Sequence, residues 1–118
     1  MSSITITSVD EAPWLAENFK KGHRTGAQIV GEHTQDGICV FIMNFEPGFA
    51  TELHSHSEDE VMYVLEGEMR MDDQVMGPES ILLIRKNSEY KFTAGDEGVR
   101  FLNIRPGTTT YQPAEKPE

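Results

Sequence analysis

The sequence predicts an all-β chain, an antiparallel sandwich or barrel forming one domain. Three observations carry that expectation. Short runs rich in β-branched and aromatic residues recur at 28–33, 38–45, 50–56, 60–70, 81–84, 89–93 and 99–104. Turn-forming residues separate them, at Thr34–Gly37, Glu46–Gly48, Met71–Asp73, Met76–Pro78, Lys86–Ser88 and Ala94–Gly98. A length of 118 residues with 37% hydrophobic content suits one modest core.

The elements follow in order. Residues 10–20 are the one stretch with helical character, opened by Asp10 with Pro13 in the first turn. Residues 1–27 form an N-terminal extension, helical or extended, packing on the barrel or a partner, and 28–110 form the barrel. The tail at 111–118 carries two prolines and no apolar anchor beyond Tyr111, so it is expected to fray or dock loosely. Alternation along Glu60–Gly67 puts Glu60, Met62 and Val64 on one face and Val61, Tyr63 and Leu65 on the other. Both faces are mostly apolar, which predicts that a second subunit covers one of them in a homodimer.

Charge and composition exclude several classes. Twenty acidic and ten basic residues give a net charge of −10. Such a surface repels phosphate backbones and anionic lipid heads, so neither nucleic acid nor membrane is an expected partner. The longest apolar run, Ile38–Met43, falls far short of the ~20 residues a spanning helix needs. The N-terminus lacks a basic start followed by an apolar stretch, so a cytoplasmic location is expected. Cys39, the single cysteine, sits in an apolar run and reads as a buried reduced thiol. No Gly-rich phosphate loop, Ser-His-Asp order or Cys-x-x-Cys pair is present, which argues against nucleotide hydrolysis and thiol chemistry.

Ligand-type residues concentrate in His54-Ser55-His56-Ser57-Glu58-Asp59-Glu60. On a strand, residues two apart project to the same face ~6–7 Å apart, so both imidazoles can reach one ion. A turn at Ser57–Asp59 that returns the chain antiparallel would open the next strand with Glu60 beside them. Two imidazoles and one carboxylate on one side of an ion make the facial arrangement that suits Fe(II) and admits Mn, Ni, Co or Zn. The same residues also read as an exposed His-x-His strand followed by a solvated acidic loop.

The flanking residues favour the first reading. Gly48, five residues, His54-Ser55-His56, three residues, Glu60, six residues, Gly67 resembles the first motif of the cupin family at every fixed position. The resemblance spans roughly residues 28–105. It implies a cupin double-stranded β-helix, a jelly-roll barrel, holding a divalent transition metal (Fe, Mn, Ni or Zn) on His54, His56 and Glu60. It also implies a small organic ligand or substrate in the barrel. The activity would be that of a dioxygenase, or of a Lewis-acid lyase or isomerase; a non-catalytic sensor or storage barrel is the alternative. Gly48 after Pro47 suits a type II turn, and Gly67 a bend or bulge where a side chain would clash.

The family's second motif is a glycine, five residues, Pro-x-Gly, two residues, a histidine, three residues and an asparagine. It falls on Glu79, Arg85, Asn87, Tyr90 and Ala94, where all five fixed positions differ. Asn87 tolerates the left-handed backbone of the glycine it replaces. Tyr90 stands where the fourth metal ligand belongs, and three readings compete: a core aromatic with a bonded hydroxyl, a catalytic acid, base or donor, or a direct ligand. Glu52 shares the strand parity of the two histidines and is a second candidate for moving protons. Met62 is expected to wall the pocket, and Arg105 to clamp a substrate anion near its mouth, with an exposed terminal arginine as the alternative. Arg100 is a second candidate anion binder. His23 and His33 read as surface residues, Trp14 as a plug on the barrel or dimer surface, and most of the methionines as core filler.

Overall fold

The computed structural model describes residues 4–20 and 23–115, with side chains described outside 16–24. A single 3-10 turn, Val9–Glu11, precedes nine strands: β1 Trp14–Lys20, β2 His23–Val30, β3 Ile38–Phe45, β4 His54–His56, β5 Glu60–Met71, β6 Gln74–Met76, β7 Ile81–Ile84, β8 Thr93–Pro106 and β9 Tyr111–Pro113. The large sheet runs β1-β2-β3-β8-β5-β6 with β7 also on β5, and β4 pairs β9 in a small second sheet. Every pairing is antiparallel. Isolated bridges Ala50–Thr93 and His54–Tyr90 tie the segments around the small sheet to the large one. Val64, Met69, Phe92, Ala94, Val99 and Phe101 fill the interior between them. The jelly-roll expectation holds.

Four local expectations give way to long-range pairing. The helix at 10–20 shrinks to the 3-10 turn, because residues 14–20 pair with β2 along its length. The turn at Ala94–Gly98 is a bulged part of β8, whose register against β5 shifts between Val64 and Glu66 and again between Gly67 and Met69. The run 50–56 is a strand only at His54–His56, and 89–93 contributes only bridges and the start of β8. The expected fraying fails for Tyr111–Pro113, which pair with His54–His56.

The outer face of the large sheet holds the N-terminal segment through buried amides. Gln28 donates to the carbonyls of Val9 at 2.9 Å and Ala12 at 3.0 Å, while its own carbonyl accepts from Asn44 at 3.1 Å. Further along that face Val61, Tyr63 and Leu65 are half-buried, and Ile81 and Leu83 of β7 are 69% and 55% exposed.

Gly67 explains how two long strands approach each other. Its φ is +72°, and a Cβ there would lie 2.1 Å from the carbonyl oxygen of Gly98. Only glycine fits without moving backbone. Gly67→Ala is expected to cost roughly 2–4 kcal/mol of unfolding free energy. Gly77→Ala meets no atom within 4 Å and should cost less than about 1 kcal/mol. Urea unfolding of the two variants checks the contrast, and equal midpoints would contradict it.

Candidate functional site

Strand register sorts the inward side chains into two layers. Phe101 pairs with Met43 of β3 and Val64 of β5, and these residues form an apolar layer. Two residues further along β8, Asn103 pairs with Phe41 and Met62; two further again, Arg105 pairs with Cys39. Because pleating returns a side chain to the same face every second residue, apolar and polar groups stack along one axis. The cavity they surround has a volume of about 490 Å³ and is lined by Met43, Phe45, Phe49, Phe92 and Phe101 at one end. At the other end it is lined by His54, His56, Glu60, Tyr90, Asn103 and Arg105. Ala50, Thr51, Glu52, Met62 and Tyr111 complete the wall.

The structure brings His54, His56, Glu60, Glu52, Met62, Tyr90 and Arg105 to this one cavity, and leaves Arg100 outside it. His54, His56 and Glu60 are buried, at 4%, 8% and 1% exposure. Glu60 does not stand beside the histidines on a paired strand, as the turn at Ser57–Asp59 suggested. β4 pairs β9 and β5 pairs β8, so Glu60 meets the imidazoles across the gap between the two sheets. His56 Nε2 lies 3.7 Å from Glu60 Oε1. His54 Nδ1 donates to the Glu52 carbonyl oxygen at 2.7 Å, which leaves Nε2 as the lone-pair nitrogen. His56 makes no hydrogen bond at either ring nitrogen among the described residues, and its Nδ1 is fully buried. Burial pushes the His56 imidazole below the usual histidine range; Glu60 pulls it upward, and Arg105 and His54 add to the depression. His56 is therefore held toward its neutral form.

Glu60 carries the buried carboxylate among the described residues that line the cavity. The Tyr90 hydroxyl donates to its Oε1, and the Asn103 amide donates to its Oε2 at 2.9 Å. Among the described residues no lysine or arginine pairs with it. Burial, then the bond to Glu60, pushes the Tyr90 phenol far above its ordinary range, so Tyr90 is a protonated donor here. Glu52 sits at the rim, where the Tyr111 hydroxyl donates to it at 2.5 Å. That bond, with some loss of solvent, pushes the Tyr111 phenol up to about 12. Arg105 lies over the Phe41 ring at 4.9 Å. Arg100 projects to the opposite face, where it meets Asp10 and Glu66, so it has no part in this cavity. His33 is exposed, and the side chain of His23 lies outside the described residues.

The donor set suits a divalent cation. A buried carboxylate without a basic partner and a buried neutral imidazole without a hydrogen bond are the groups an ion would satisfy. Two donors on one ion at ~2.1 Å each lie no more than about 4.2 Å apart, and the His56–Glu60 separation of 3.7 Å falls within that limit. Among the described residues no three His, Cys, Asp or Glu groups are drawn closely enough to enclose an ion as they stand.

Two residues of the site escaped sequence reasoning. Asn103 shares its strand parity with Phe101 and Arg105, and a polar residue at that parity is itself a signal. Tyr111 gave none. Its ring stacks on His54 with centroids 4.9 Å apart and meets His56 edge-on at 5.6 Å, because β9 folds back over β4.

Two antiparallel sheets with histidine and glutamate facing a cavity between them define a small cupin-type fold. Residues 41–105 match the family model described as Cupin domain, and the chain belongs to that family. Solved structures agree on the fold. The polyketide cyclase RemF from Streptomyces resistomycificus is 20% identical, with a TM-score of 0.77, covering 98% of this chain and 89% of that one. An uncharacterized conserved protein with a double-stranded β-helix domain from Klebsiella pneumoniae is 21% identical, with a TM-score of 0.71, covering 97% and 100%. A deletion mutant of the Bacillus subtilis oxalate decarboxylase OxdC is 20% identical, with a TM-score of 0.71; 96% of this chain spans 32% of that one. No curated protein matches the chain.

Tyr90→Phe removes one of two donors to a buried carboxylate and no packing volume. It should fold and lose about 1–3 kcal/mol of stability. Chemical denaturation with a circular dichroism readout measures this, and an unchanged midpoint would show that the phenol bond contributes nothing.

Proposed function

We propose that this chain is a metal-dependent cupin that acts on a small organic molecule held in the barrel cavity. His54, His56 and Glu60 would hold a divalent transition ion, Fe, Mn, Ni or Zn. The observation that carries the reading is a buried Glu60 whose carboxylate lies 3.7 Å from the His56 imidazole and, among the described residues, makes no ion pair with a lysine or arginine. Such an ion supplies Lewis-acid polarisation of a carbonyl or carboxylate, as in a lyase or isomerase, or dioxygen binding if it is iron. The remaining roles fall to the chain. Tyr90 and Asn103 fix the Glu60 carboxylate by donating to its two oxygens. Tyr90 holds its hydroxyl proton on Glu60, from where it could pass to a ligand, and Glu52 offers a carboxylate at the rim for proton transfer. Met62 forms an apolar wall and Arg105 an anion contact. The names of the fold neighbours, a polyketide cyclase and an oxalate decarboxylase, fit a barrel that handles small oxygenated molecules in other chains.

The Tyr90–Glu60 bond also favours a second reading. It satisfies the carboxylate without an ion, as a non-catalytic ligand-binding barrel would, with or without metal. Elemental analysis of protein purified without a tag separates them. About one equivalent of transition metal is expected, and less than about a tenth, with none rebinding, overturns the metal reading. His54→Ala and His56→Ala should abolish retention, and Glu60→Gln should weaken it. Asn103→Leu should weaken it by about 10–100-fold by freeing the carboxylate. Turnover of small enols, catechols or organic acids by metal-loaded protein separates enzyme from binding module.

We also propose that a second copy covers the outer face of β5 and β7, where Ile81 and Leu83 are exposed. Sedimentation at working concentration should give twice the chain mass, and a monomer would contradict it.

A further inference from the structure

The two ends of the cavity carry information on what fits it. At the apolar end Phe45 and Phe49 stack with centroids 4.5 Å apart and planes 9° apart, and Phe92 meets Phe101 edge-on at 5.7 Å. The one polar side chain among the lining residues there is Thr51, whose hydroxyl is engaged with the backbone of Phe92, so a sugar or polyol would lose most of its hydration without replacement. Flat aromatic walls reward a flat, polarisable body.

The polar end has one charge left over. Three charged residues line the cavity: Glu52, Glu60 and Arg105. Glu60 is engaged by Tyr90 and Asn103, and Glu52 by Tyr111. Arg105 has no ion pair and no hydrogen bond among the described residues; its contact is the face of Phe41 at 4.9 Å. That ring backs the guanidinium while leaving its N–H fork free. An unpaired guanidinium beside neutral His56 and the protonated phenol of Tyr90 is a receptor for one carboxylate, enolate or phenolate, which it can hold through two parallel bonds. A single cation in a chain of net charge −10 does not suit a polyphosphate.

We propose that the ligand of this cavity is a planar aromatic acid. Its ring system lies among Phe45, Phe49, Phe92 and Phe101, and its single anionic head lies on Arg105, beside the imidazole pair. A cavity of about 490 Å³ accommodates two or three fused rings. The assignment rests on the reading of this cavity as the small-molecule site, and it holds whether or not a metal is bound.

The test compares three probes on the full chain, both stripped with chelator and loaded with Mn(II). These are 2-naphthoate, the neutral 2-naphthalenemethanol, and the non-aromatic cyclohexanecarboxylate. Calorimetry gives the affinities, and the methyl resonances of Met43 and Met62 report whether binding is inside the barrel. Naphthoate should bind at least ~10-fold tighter than either comparison, in both metal states, and should shift both methyl signals. Arg105→Gln should erase the margin over the alcohol, and Arg105→Lys should restore part of it. The proposal fails if the alcohol or cyclohexanecarboxylate binds as tightly as naphthoate, if no probe binds, or if the margin survives in Arg105→Gln. The wild-type comparison decides the matter even if that variant does not fold. Loss of the metal reading leaves a naphthoate preference in stripped protein untouched. Metal retention on His54 and His56 without that preference would sink this assignment alone.

Discussion

A carboxylate removed from water must be compensated, and in this molecule the compensation for Glu60 organises the polar end of the barrel. With no lysine or arginine in an ion pair with it among the described residues, the charge is met by the Tyr90 hydroxyl, the Asn103 amide and the nearby ring of His56. Each partner comes from a different segment: the loop before β8, β8 itself, and β4. The network therefore joins the small sheet to the large one as well as shaping a site. Breaking one member would leave a buried acceptor short of a donor, a larger penalty than losing an exposed bond. The same arrangement gives Glu60 a fixed orientation and keeps Tyr90 protonated, two properties a cation or a ligand meeting these groups would use.

The retained backbone of the altered second motif shows what a family pattern encodes. Glu79 and Asn87 replace two glycines, yet their φ values are +73° and +63°, the left-handed conformation those glycines would adopt. The turns survive with other side chains because pairing of β5 with β7 and β8 constrains them. Tyr90 likewise occupies the place of a histidine ligand, bridged to His54 through the backbone. Position is conserved by the sheet while chemistry changes from a ring nitrogen to a hydroxyl.

Much of this was legible in the sequence because it is local or periodic. Alternation placed Met62 with Glu60, and glycines at 48 and 67 marked a turn and a bulge. What escaped depends on partners distant in the chain. Tyr111-Gln112-Pro113 resembles a fraying tail by composition, yet Ser55 donates to the Gln112 side-chain carbonyl at 2.9 Å and the backbone pairs with β4. Gly95-Asp96-Glu97-Gly98 has turn chemistry at every position, but Gly98 packs on Gly67 and the long β5 partner holds the segment extended. Local propensity loses in both cases to hydrogen bonds across the sheet.

The account centres on three side chains converging on one cation. Diffraction from crystals of the purified protein, recorded on both sides of a transition-metal absorption edge, examines that directly. An anomalous peak enclosed by His54, His56 and Glu60, at the Arg105 end of the cavity, is the expected outcome. A clean map there, with Glu60 still held only by Tyr90 and Asn103 after soaking in Fe, Mn, Ni and Zn, would contradict it.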